Sequence, residues 1–203
     1  MTLSRAERSR LAEWWFTVDR VLLATVLVIA GTGMLLSLAA SPAIALKRGL
    51  PTFYFVERHF LFVVAALATM AAVSLLTPAQ IRRLALATLC VSLALMIVVL
   101  LTDLEINGAR RWLHIGGYTL QPSEFAKPAF VLLSAWLFGE AERRPDMPAT
   151  SAAVALFLVF ALLLVLEPDL GQTLLVSMVW CALFFLANRP IKWFAVLVMA
   201  LAA

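Results

Sequence analysis

Apolar residues in this chain fall into long unbroken runs, not into the alternation of strands or the narrow stripe of a surface helix. Six runs occupy roughly residues 21–40, 60–76, 84–101, 122–138, 149–166 and 171–187, and a seventh begins near Trp193 and stops with the sequence at Ala203. Runs approaching 20 apolar residues are long enough to span a bilayer as helices. Prolines punctuate the boundaries, at Pro42, Pro51, Pro78, Pro122, Pro145, Pro148, Pro168 and Pro190. Proline lacks a backbone donor and belongs at helix starts and in loops, and only Pro128 sits well within a run. The pattern predicts an all-α, polytopic transmembrane helix bundle with six complete spans and the start of a seventh. A spanning helix cannot end at mid-bilayer without leaving carbonyls unpaired in lipid. The short last run therefore reads as the front portion of a longer protein.

Composition agrees with that pattern. The 203 residues are 64% hydrophobic, well above the 45–50% or so of a soluble domain. The net charge of +4 does not point to nucleic acid, because the basic residues lie in pairs across short loops, where they set topology. With the N-terminus placed inside, ten of the sixteen basic residues fall on the inner side: Arg5, Arg8, Arg10, Arg20, Arg82, Arg83, Arg143, Arg144, Arg189 and Lys192. That tilt predicts a cytoplasmic N-terminus. It leaves Arg110, Arg111 and Lys127 on the outer side, against the rule, so another reason must hold them there.

Residues 1–20 form a polar, basic tail. Trp14 and Trp15 suit an interfacial anchor, on a short amphipathic helix lying at the membrane or on a flexible segment. Residues 21–203 form the transmembrane domain, cut short on its C-terminal side. The run from Val21 to Ala40 exceeds the apolar core of a signal peptide and is read as a retained first helix. Cys90 and Cys181 lie inside runs and no loop carries a cysteine, so they are read as small apolar packing residues.

The densest polar chemistry lies around the fourth run. Asn107-Gly108-Ala109-Arg110-Arg111-Trp112 precedes it, and Gln121-Pro122-Ser123-Glu124-Phe125-Ala126-Lys127 opens it. Ionisable residues at membrane depth are costly and mark function. Pro122 fits the first helical position, and Glu124 falls in the first turn, near the positive helix end. Glu124 and Lys127 are three apart and can pair on one face. Pro128 removes the bond to the Glu124 carbonyl and strains that turn. The alternative is a plain helix start with a lysine reaching back to the interface. Two adjacent guanidiniums suit phosphate oxygens, or else are solvated beside an anchoring Trp112. His114 stands alone, without a metal-ligand cluster. Glu167-Pro168-Asp169-Leu170-Gly171-Gln172 opens the sixth run on the same outer side, where its acids either cap the helix or join a cavity. Two helix N-termini facing one cavity, with Arg110, Arg111 and Lys127, would suit a pyrophosphate headgroup at the membrane surface.

Through Gly108-Ala109-Arg110-Arg111-Trp112, Gln121-Pro122-Ser123-Glu124-Phe125-Ala126-Lys127-Pro128 and Glu167-Pro168-Asp169-Leu170-Gly171-Gln172-Thr173, the chain resembles the SEDS family of cell-wall polymerases, which includes FtsW, RodA and SpoVE. Trp180 and Phe184-Phe185-Leu186-Ala187 bring it closer to the FtsW branch. The resemblance implies a ten-helix protein of the bacterial inner membrane, at the division septum. It implies a peptidoglycan glycosyltransferase that polymerises lipid II into glycan strands beside a class B penicillin-binding protein (FtsI-like) and other divisome membrane proteins. It also places the family's catalytic Asp in an outer loop beyond residue 203, so no catalytic residue is expected here and this chain alone is expected to be inactive. The expected substrate-binding set is Arg110, Arg111, Trp112, Gln121, Ser123, Glu124, Lys127 and Asp169. Arg110, Arg111 and Lys127 would stabilise the leaving pyrophosphate, with a divalent ion, magnesium or manganese, as the one cofactor the chemistry leaves room for. Glu124 would position Lys127, and Trp112 would pack on the isoprenoid or a sugar. Glu167 departs from the Gln of many relatives and is expected to add a negative charge near the cavity mouth or to be paired locally. A lipid II flippase and an inactive partner-binding fragment are the competing readings.

Overall fold

In a computed structural model, residues 10–102, 111–115, 118–144 and 146–188 are described. The order is α1 (Arg10–Thr17), α2 (Arg20–Lys47), α3 (Tyr54–Ser74), α4 (Pro78–Leu101), β1 (Leu113–Ile115), β2 (Tyr118–Leu120), α5 (Pro122–Arg143), α6 (Ala149–Leu166) and α7 (Leu170–Leu186). Helices α2 to α7 correspond to the six predicted runs, and the predicted seventh lies outside the described residues. Four of them (α2, α3, α4 and α6) are long and apolar enough to cross a membrane. Helix α5 carries Glu124, Lys127, Glu140, Glu142 and Arg143 along its length, and α7 is shorter at 17 residues. The molecule is an all-α membrane bundle. By contact it divides into two compact units, residues 1–77 and 78–203.

In the first unit, α2 starts where the Asp19 carboxylate accepts hydrogen bonds from the backbone N–H groups of Val21 (2.9 Å) and Leu22 (3.1 Å), a side-chain N-cap. Its end departs from the sequence expectation. The run was expected to stop near Ala40, yet the helix continues through Pro42 to Lys47. One proline removes a single bond, to the Leu38 carbonyl, and the following Ala-Ile-Ala-Leu favours helix. The true stop is Gly49, whose φ of +66° is the left-handed turn that glycine adopts without strain. Its N–H donates to the Leu46 carbonyl and the Leu50 N–H to the Ala45 carbonyl, which satisfies the orphaned helix end. Of the two readings of the N-terminal tail, the helical one holds for Arg10–Thr17. Trp14 Nε1 donates to Ser74 Oγ at 2.7 Å, tying α1 to the end of α3.

The second unit holds nearly all the buried core. On α4 the buried residues are Ala85, Leu89, Ser92, Met96 and Val99, alternating steps of four and three that form one seam. Helix α5 answers with Ala126, Ala129, Phe130, Leu133, Ser134 and Phe138, α6 with Ala153, Phe157, Phe160 and Leu164, and α7 with Val176, Trp180 and Phe184. Lipid gives little hydrophobic drive for helix association, so close packing must supply it. Alanines let the backbones approach, and aromatic rings fill the remainder. Trp180 stacks on Phe157 (centroids 4.8 Å apart) and on Phe184 (5.4 Å).

A two-stranded antiparallel hairpin, absent from the sequence expectation, joins α4 to α5. It pairs Leu113 with Leu120 and His114 with Thr119. Three-residue strands are too short for an alternation to register. Pro128, expected to break its turn, is carried inside a continuous α5.

Trp180 is fully buried and its indole N–H has no hydrogen-bond partner among the described residues. Trp180→Ala is expected to lower stability by about 3–5 kcal/mol, and Trp180→Phe by less than half as much, since it keeps the stacking and removes the orphaned donor. Thermal unfolding in detergent measures both.

Candidate functional site

The hairpin delivers two polar residues to one point. Arg111 lies just before β1 and Gln121 just after β2, and the pairing of Leu113 with Leu120 brings these flanks together. Both meet Asp169. Its Oδ2 lies 3.1 Å from Arg111 Nη1 and accepts from Gln121 Nε2 at 3.4 Å. Its Oδ1 accepts from the Gln172 N–H at 3.3 Å, the N-cap of α7. One side chain thus both caps α7, as one of its two sequence readings expected, and pairs with Arg111 and Gln121. A half-buried arginine against a buried carboxylate is costly to break, because the survivor is left charged and unpaired.

A second group adjoins the first. Lys127 Nζ lies 2.8 Å from Glu124 Oε2 and donates to Gln172 Oε1 at 2.7 Å. The predicted i,i+3 pair is present. Glu124 is half exposed, and such a pair contributes little to stability, so what it supplies is position: the ammonium is held at the first turns of α5 and α7 together. Gln172 was missed as a site residue from sequence. Its signal was its place three residues after Asp169, in the same helical turn.

Arg111, Gln121, Glu124, Lys127 and Asp169 are thus brought together. Trp112 is half-buried beside them. Ser123 is fully buried, and its Oγ has no hydrogen-bond partner among the described residues. Arg110 lies outside the described residues. Among the described residues the charges balance, Arg111 and Lys127 against Asp169 and Glu124, so the cationic excess expected from sequence is not seen among them. Among the described residues no group of three or more His, Cys, Asp or Glu side chains could hold a metal ion.

Glu167 corrects the sequence reading. It was expected at the cavity mouth as a charge or a local partner. Instead it is fully buried at the end of α6, and neither carboxylate oxygen has a hydrogen-bond partner among the described residues. Burial, and then the neighbouring Asp169, push its carboxyl up to about 7, with Arg111 acting in the opposite direction. Burial disfavours the anion, so the group keeps its proton through the mildly acidic range and is about half ionised near pH 7.

A helical membrane bundle with a charge network across two helix starts is the class of protein that this geometry defines. The chain belongs to the FtsW/RodA/SpoVE family, described as "Cell cycle protein", whose model matches residues 19–203. It is 39% identical over 191 residues to the probable peptidoglycan glycosyltransferase FtsW of Caulobacter vibrioides, covering 94% of this chain and 49% of that protein. It is 34% identical to the protein of the same description from Halorhodospira halophila, covering 98% and 51%. The crystal structure of the rod shape determining protein RodA from Thermus thermophilus superposes with a TM-score of 0.67 at 27% identity, over 93% of this chain and 60% of that one. The chain spans about half the length of the curated relatives it matches.

Between pH 4.5 and about 7 the folded chain keeps a proton on Glu167 that the unfolded chain has released. This group therefore makes stability fall as pH rises through that window, and the loss is complete above it. Glu167→Gln is expected to raise the thermal midpoint at pH 8, with little change at pH 4.5. An equal shift at both values would contradict the buried neutral acid.

Proposed function

We propose that this chain forms the substrate-holding part of a peptidoglycan glycosyltransferase that polymerises lipid II during cell division, in the inner membrane and beside a class B penicillin-binding protein. The observation that carries the reading is the network joining Arg111 to Asp169 and Lys127 to Glu124 and Gln172 across the starts of α5 and α7. The FtsW description of the relatives supports the reaction class.

In glycosyl transfer, an acceptor sugar hydroxyl attacks the anomeric carbon of the donor. The bond from that carbon to the pyrophosphate oxygen breaks, and a base takes the hydroxyl proton. The leaving pyrophosphate gathers negative charge, which fixed cationic donors stabilise most when they need not reorganise. Arg111 offers a planar fork for phosphate oxygens, and Lys127 a compact point charge. Asp169 and Glu124 hold these cations before substrate arrives and exchange them onto phosphate when it binds. Ser123 and Trp112 flank this set, and Arg110 adds positive charge. The base is assigned to an acidic residue outside this chain. A divalent ion would need ligands beyond the described residues.

Lys127→Ala in the full-length protein is expected to reduce polymer formation from purified lipid II by about 100-fold or more while leaving membrane insertion intact. Polymer at normal yield would sink the assignment. Transport of lipid II without its consumption would instead favour a flippase. Arg111→Ala is expected to weaken lipid II binding about tenfold, the loss of one charge-assisted contact.

A further inference from the structure

At the end of the α4–α5 pair opposite the charge network, the structure has a second polar cavity. It measures about 380 Å³ and is lined by Arg82, Trp136, Glu140, Arg143 and Arg144. Arg82 comes from the second turn of α4, and the rest come from the last turns of α5 and the residue after it. The Arg82 guanidinium lies over the Trp136 ring, 5.7 Å from its centroid, a cation–π contact. Glu140 is largely buried and pairs with Arg144 at 2.9 Å. Arg143 has no hydrogen bond or ion pair with any described residue. Three arginines against one glutamate leave two positive charges without counter-charge around one concavity. The site lies apart from everything assigned above.

We propose that this cavity binds the phosphate headgroup of an anionic phospholipid of the surrounding leaflet. Cavities of about 300–1,000 Å³ hold small ligands, and guanidiniums grip phosphate oxygens through paired N–H donors. Trp136 lies seven residues before Arg143, about 10 Å deeper along the helix. An indole below a ring of arginines is the arrangement of a membrane interface, with the ring at headgroup depth and the charges above it. Basic pockets between spanning helices suit anionic headgroups for the same reason. The basic-residue bias, read from sequence, predicts that this end of α4 and α5 faces the cytoplasm. Stacking on Trp136 holds the Arg82 fork in place before the lipid arrives, and Glu140 limits the charge so that one phosphate is matched.

The test uses the full-length protein in nanodiscs of phosphatidylcholine with or without phosphatidylglycerol, read by thermal midpoint and by native mass spectrometry of retained lipid. Phosphatidylglycerol is expected to raise the midpoint by about 2–4 °C and to remain bound. Arg82→Gln with Arg143→Gln should remove both effects, and Arg83→Gln, outside the cavity, should keep them. Glu140→Gln should enlarge them, which keeps the test decisive if the double variant fails to insert. Retention of the shift in the double variant, or its loss in Arg83→Gln, overturns the site. So does an unchanged or smaller response in Glu140→Gln. An equal shift from soluble glycerol phosphate or an acidic peptide in phosphatidylcholine discs overturns the lipid as ligand.

Discussion

Charge inside a membrane bundle is tolerated only when it is matched, and the pairing of Arg111 with Asp169 is the match on which this structure depends. Asp169 does three things at once. It caps α7, it neutralises Arg111, and it receives Gln121 from the far side of the hairpin. The starts of α5 and α7 are thereby fixed together. Lys127 can then reach Gln172 while staying against Glu124. Without that anchor the lysine would lie within a span and have to reach the interface for water.

The aromatic packing beneath the network serves the same end. Phe130, Phe157, Trp180 and Phe184 come from three different helices and touch ring to ring. Rings have few rotamers, so they hold helix ends in register better than flexible chains would. A polar site needs that rigidity, because a misplaced cation loses its preorganisation. Glu167 shows the cost of burial in the same place. Its carboxyl sits next to Asp169 with no hydrogen-bond partner among the described residues, and burial raises it to about 7, so it holds its proton in the mildly acidic range instead of adding a third anion there.

The spans were legible because lipid imposes a simple rule, and α3 to α7 fall where the apolar runs lie. The end of α2 was not legible. Pro42 looked like a stop, but a single lost bond was outweighed by a good helix-forming stretch and by the capping geometry at Gly49. The Glu124–Lys127 pair followed from spacing alone. The hairpin did not, nor did the reach of Lys127 to Gln172, since both depend on long-range contacts; the one local hint to Gln172 was its place three residues after Asp169. Glu167 was misplaced because a charged residue beside a helix start reads as exposed, whereas tertiary packing buries it. Arg110 lies outside the described residues, so its expected role stays a proposal.

The central claim is that Arg111 and Lys127 are held by their carboxylates to receive a lipid-linked pyrophosphate. The most direct measurement compares binding of undecaprenyl pyrophosphate and undecaprenol to the full-length protein, with and without the paired change Arg111→Gln and Lys127→Gln. The account predicts a preference for the pyrophosphate of about 100-fold, consistent with two charge-assisted contacts, and its loss in the double variant. Equal binding of the two lipids, or a preference that survives the double change, would contradict it.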